Sequence, residues 1–128
     1  MVDVVCGVIK INNKILVTQR SEKMKLPLKW EFPGGKIKIG ENEIDCLKRE
    51  LSEELSIKIK IIKRLTNSRY DYGTFQINLI PYLVEFVSGE IILTEHVSYQ
   101  LLDKSSLPSL DWAEADLPIV QEIINTQI

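Results

Sequence analysis

The chain has 128 residues, 45% of them hydrophobic and 27% charged, with a formal net charge of −2 and a sequence pI of about 5.5. That is the make-up of one globular domain long enough to bury a core, without the positive field that gathers a nucleic-acid polymer or an anionic membrane. The two cysteines, Cys6 and Cys46, form no CxxC pair and have no histidine beside them, which argues against a zinc site or a disulfide framework and fits a reducing, cytoplasmic setting. "MVDVVCGVIK" lacks the basic segment of a signal peptide, and no apolar run reaches the roughly 18 residues that cross a bilayer.

The first nineteen or twenty residues, "VDVVCGVIKINNKILVTQR", read as two β-branched runs around Asn12 and Asn13, a hairpin. A polar loop "SEKMKLPLK" leads to the short apolar piece "WEF", and Pro33, Gly34 and Gly35 turn the chain. From about Asn42 to Leu55 the period changes: Ile44, Leu47, Leu51 and Leu55 form one apolar helical stripe. "SIKIKIIKRLTNSRY" alternates as a strand, "DYG" turns, and "TFQINLIPYLVEFV" is another strand in which Pro81 marks a bulge or an edge. "SYQLLD" is a short last strand, and "EADLPIVQEIINT" a second helix with Leu117, Ile119, Val120 and Ile123 turned inward. Strands, helix, strands and helix in this order predict an α/β or α+β sandwich with a mixed sheet between helices.

The first helix carries an anomaly. Glu50, Glu53 and Glu54 occupy its last two turns, within a wedge of roughly 100° beside the apolar stripe. Like charges at helical spacing repel, and the C-terminal end of a helix prefers cations. Such a run is either a solvated face or a site for a divalent cation, which would turn repulsion into coordination. Gly34 and Gly35 just ahead of the helix, and the cations Lys36 and Arg49 beside the acids, favour the site.

Gly35, five residues, Glu41, seven residues, then Arg49-Glu50-Leu51-Ser52-Glu53-Glu54-Leu55-Ser56-Ile57 resembles the Nudix box, G-x5-E-x7-R-E-U-x-E-E-x-G-U with U aliphatic. Ser56 is the one departure, standing where that family has a glycine that ends the helix left-handed. Outside the box, "KWEFPGGKI", "VTQR" with Arg20, and "ADLP" resemble the MutT branch, so the likeness covers nearly the whole chain. It implies a single Nudix hydrolase domain over residues 1–128 with the α/β/α sandwich fold. It further implies Mg2+, with Mn2+ as a second candidate, held by Glu50, Glu53, Glu54 and the Gly34 carbonyl, and by Glu95 if that residue is more than a loop acid. Glu41 and Arg49 would orient those ligands, Glu53 would take the proton from water, and a nucleoside triphosphate would yield a monophosphate and pyrophosphate.

Lys36 and Arg20 are candidate phosphate contacts, and Phe32 is either core or a contact to the base. Lone His96 reads as solvated. Asp116 is either the base reader or an N-cap of the last helix; as a carboxylate it suits paired donors such as guanine N1–H and N2–H2, or cytosine N4–H2. The expected substrate is a small-molecule nucleotide of the 8-oxo-dGTP type, acted on in nucleotide-pool sanitisation and DNA repair. CTP or a modified pyrimidine triphosphate is the alternative. A non-catalytic Nudix-fold binding module is the reading from another class, with no polymer or membrane partner and a monomer or homodimer in any case.

Overall fold

The computed structural model describes all residues, Met1–Ile128. β1 (Val2–Ile11) and β2 (Lys14–Gln19) form the expected hairpin, with Ile11 opposite Lys14. Its two-residue turn needs positive φ at both positions, and Asn12 (49°) and Asn13 (66°) supply it, since Asn tolerates that region better than most residues. β3 (Trp30–Glu31) and β4 (Gly34–Lys36) are short pieces pairing with β2 and β1. α1 (Glu43–Leu55) follows, then β5 (Ile57–Arg64), β6 (Ser68–Asp71), β7 (Gln76–Gly89), β8 (Ser98–Leu102) and α2 (Leu117–Asn125).

All eight strands belong to one sheet, ordered β3-β2-β1-β7-β5 along its spine. The long β7 organises it: β7 runs parallel to β1, from Val2 opposite Ile77 to Lys10 opposite Glu85, and antiparallel to both β5 and β6. Alternation along these strands turns Val5, Ile9, Leu16, Ile80 and Val84 toward α1, and Cys6, Val8, Val17, Leu79 and Leu83 toward α2 and the segment before it. The result is the anticipated layering, a mixed sheet between two helices. No helix is long and apolar enough to cross a membrane.

Several local expectations change. The run from Ser56 to Tyr70 is two strands, because β5 shifts register between Ile61 and Lys63 and pairing resumes only at Ser68. Pro81 is not on an edge; it lies inside β7 opposite the break between β5 and β6, where its carbonyl accepts from Leu65 N–H. Ile44 is exposed, and Cys46 joins Leu47, Leu51 and Leu55 in the buried face of α1 instead. Leu117 is likewise exposed, since it opens α2 on the solvent side while Ile119, Val120 and Ile123 point inward.

Candidate functional site

The glutamates of α1 are placed by two devices. At its start, Asn42 caps the helix, its side-chain oxygen accepting from Asp45 N–H at 2.8 Å. At its end Ser56 adopts the left-handed conformation (φ 59°, ψ 36°) that the glycine of the motif would otherwise take. No basic side chain sits in the last turn; instead the carbonyls of Leu55 and Glu54 accept from Ile92 and Thr94 N–H. Those bonds also dock the segment after β7 on the helix end, which carries Glu95 to the same side as Glu54.

Arg49 is the hub of the acids. Its Nε and Nη2 donate to the two oxygens of Glu41 at 2.7 and 3.0 Å, and its Nη1 donates to Glu50 at 2.9 Å and to Glu53 at 3.1 Å. The bidentate Arg49 bond, with the Lys38 N–H next in weight, holds the Glu41 carboxyl at about 2, far below its ordinary 4.5. The same acids raise Arg49 further above its already high value. Glu50 lies against the backbone of β4: a Cβ on Gly35 would fall 2.2 Å from its carboxyl carbon, so only glycine permits this approach. Glu53 is 55% exposed and faces outward.

Glu54 is different. It is 9% exposed, and its Oε2 is buried without a hydrogen-bond partner. Burial, followed by the charges of Glu50, Glu31 and Glu95, pushes its carboxyl up to about 9, opposed by the Gly34 N–H. A buried unpaired carboxylate oxygen costs stability unless something fills the place of the missing donor. A hard cation with oxygen ligands fits the donor set of Glu50, Glu53, Glu54 and the carbonyls of β4. No three of these acids converge tightly enough to cage a cation as they stand, because Arg49 holds Glu50 and Glu53.

Glu54, Glu95, Gly34, Gly35 and the exposed Lys36 line a cleft of about 350 Å³, and Asp116 lines it too. Asp116 is 4% exposed and its Oδ2 accepts from Phe32 N–H at 2.8 Å; although it immediately precedes α2, its side chain caps no helix N–H. Burial and then the Glu31 charge push its carboxyl well above the ordinary range, with Phe32 N–H and Arg20 acting against them. The segment that carries it is pinned, Ala113 N–H bonding to Trp30 O and Ser68 Oγ to Ala115 O. Phe32 lines the cleft but is 2% exposed, its ring 4.7 Å from that of Trp112. Phe32 is therefore core by packing, with one side on the cleft wall.

Arg20 lines the cleft too, but it is already engaged, its Nη1 2.8 Å from Glu31. Glu31 is the residue the sequence reading missed. It sits between Arg20 and His96, 2.8 Å from His96 Nε2, and its charge reaches both Glu54 and Asp116. His96 is buried (6% exposed), contrary to the expectation of a solvated loop histidine. Both were visible only as members of "WEF" and "TEH", far apart in sequence and joined by β2 pairing with both β3 and β8.

Comparison with known proteins accords with this geometry. Residues 1–122 match the NUDIX domain family model. The chain is 32% identical over 121 residues to an 8-oxo-dGTP diphosphatase of Buchnera aphidicola, covering 94% of this chain and 92% of that protein. It is 28% identical to the CTP pyrophosphohydrolase of Escherichia coli, covering 94% and 90%. The solution structure of a MutT protein of the Nudix hydrolase family from methicillin-resistant Staphylococcus aureus superposes with a TM-score of 0.78 at 40% identity, over 96% of this chain and 95% of that one. With the glutamate helix, the glycine turn and the cleft in one arrangement, the chain belongs to the Nudix hydrolase family.

Proposed function

We propose that this enzyme is a Mg2+-dependent nucleoside triphosphate diphosphatase that releases a nucleoside monophosphate and pyrophosphate, with 8-oxo-dGTP-type nucleotides as its substrates. The observation that carries this reading is the cleft itself, lined both by the carboxyl of Glu54 and by the buried Asp116 bonded to Phe32 N–H. A polyphosphate belongs beside Glu54 and a base beside Asp116. Glu50, Glu53, Glu54 and the Gly34 carbonyl are the groups to hold the divalent cation, with Glu95 close by. When bound, it polarises phosphoryl oxygen and lowers the pKa of the attacking water. Arg49, anchored by Glu41, keeps Glu50 and Glu53 oriented. Glu53, the most exposed of the three, accepts the proton from water. Lys36 meets the phosphates from the cleft rim, and Arg20 supports them from its place against Glu31.

Asp116 keeps a carboxyl oxygen for the base beyond the one bound to Phe32 N–H. Adjacent donors such as N1–H and N2–H2 of an oxidised guanine suit it, and the relatives named 8-oxo-dGTP diphosphatase support that choice. Cytosine N4–H2 suits the same oxygen, and the relative named CTP pyrophosphohydrolase favours this second reading. The net charge of −2 suits a free nucleotide in the cytoplasm better than a polymer, and the enzyme acts as a monomer or homodimer.

The test is a panel of 8-oxo-dGTP, dGTP, CTP, dCTP and 5-methyl-dCTP with Mg2+, scored by kcat/KM. The expected result is highest turnover on 8-oxo-dGTP, lost by tenfold or more in Asp116→Ala, on the order of one lost hydrogen bond to a charged or buried group. Highest turnover on a cytosine nucleotide would replace the first reading with the second.

A further inference from the structure

An open sheet edge is a template for another strand, and folded chains guard such edges with shortness, charge, proline or a bulge. Most margins of this sheet are guarded. β3 and β4 have two and three residues. β5 ends the sheet with Lys58, Lys60, Lys63 and Arg64, all exposed, and β6 carries the exposed Arg69 and Asp71. β8 is the exception. It pairs with β2 alone, and no loop or side-chain hydrogen bond reaches residues 98–102. That pairing runs without a bulge, from Ile15 opposite Leu102 to Gln19 opposite Ser98. The strand, Ser98-Tyr99-Gln100-Leu101-Leu102, holds no charge, proline or glycine in a chain that is 27% charged.

The middle of β8 is bare on both faces, because Tyr99, Gln100 and Leu101 are consecutive and all exposed. Tyr99 (38% exposed) and Leu101 (37%) share the face of Thr18 and Leu16, their partners on β2, and Val97 just ahead of the strand is exposed too. Leu102 packs against the core on the other face. Antiparallel pairing of two β8 strands about a two-fold axis at Gln100 sets Tyr99 of each copy opposite Leu101 of the other. This aromatic–aliphatic contact is made twice by the symmetry. Gln100 meets its own counterpart, and its amide is both donor and acceptor. An uncharged edge gives a foreign strand little to be selected by, whereas this two-fold register matches β8 to itself. The net charge of −2 leaves little repulsion between copies.

We propose that β8 is a homodimer interface, at which two copies of this chain join their sheets antiparallel across a two-fold axis at Gln100. The pairing consumes the open edge of both copies, so assembly closes at two. One five-residue strand per copy buries less than the roughly 800 Å² per partner of a standard interface, so the dissociation constant is micromolar or weaker. The interface holds whichever nucleotide the cleft takes. Its test is sedimentation equilibrium of the full chain from about 1 μM to about 1 mM, the range in which such a constant falls. The parent is expected to pass from monomer to dimer with no larger species. Gln100→Lys and Gln100→Glu each oppose like charges across the axis and are expected to weaken dimerisation about tenfold or more. Because Gln100 is exposed, thermal unfolding of both variants at low concentration stays like that of the parent. An equimolar mixture of the two variants brings opposite charges together at the axis and is expected to restore association, a recovery that a general change of surface does not produce. A parent that stays monomeric throughout, species larger than a dimer, or a Gln100→Lys variant that dimerises like the parent overturns the proposal. So does a mixture that stays monomeric.

Discussion

Ser56 shows how one residue records both a motif and its departure. It holds the left-handed cap with φ 59° where a glycine would do so without strain, at a cost of about 1–2 kcal/mol. Ser56→Gly is therefore expected to gain about 1 kcal/mol in denaturant unfolding, with the site geometry unchanged. The glutamates titrate in opposite directions. Glu41 sits at about 2 against an ordinary 4.5 because of Arg49, so its contribution to stability is complete above about pH 4.5 and is lost as pH falls toward 2. Glu54 at about 9 keeps its proton in the metal-free fold while the unfolded chain releases it near 4.5, so stability from this group declines as pH rises from 4.5 toward 9. Thermal melts of metal-free Glu54→Gln should accordingly gain on the parent between pH 6 and 8.5, whereas Mg2+ should raise the melting temperature of the parent more than that of the variant. A variant that loses stability with rising pH as steeply as the parent would show that the buried carboxyl is not the cause.

At the scale of elements, α1 was legible because two signals agreed on it, the apolar period and the box spacing, while its Asn42 cap emerged only in the structure. Asn42→Ala should cost about 1 kcal/mol, read from the denaturant midpoint, because the bond to Asp45 N–H is lost with no substitute nearby. Periodicity failed where the partner strand, not the chain itself, decides the ending. The break between β5 and β6 is set by the register along β7, and nothing within "IKIKIIKRLTNSRY" announces it. Ile44 and Leu117 matched the period but sit at helix starts, before the helix has reached the sheet it packs against. The segment before α2 was placed by its likeness to a family rather than by pattern; its hold on Trp30 and Ser68 is a tertiary property.

Across the whole molecule, the carboxylates of the box were readable because one helix carries Glu50, Glu53 and Glu54. Glu31 and His96 were not, because they meet only when β2 pairs with β3 and β8. The sheet thus assembles a cleft to which a local motif contributes Glu54 and distant segments contribute Glu31, Glu95 and Asp116. The bond from Phe32 N–H to the buried Asp116 ties the segment before α2 to the chain between β3 and β4. The most direct test of this division is product analysis with the parent and Glu53→Gln, using a nucleoside triphosphate and Mg2+. The expected result is monophosphate and pyrophosphate in equal amounts from the parent, and a turnover lowered by orders of magnitude in a variant that still folds and still binds nucleoside. Release of orthophosphate instead of pyrophosphate, or near-parent turnover in Glu53→Gln, would contradict it.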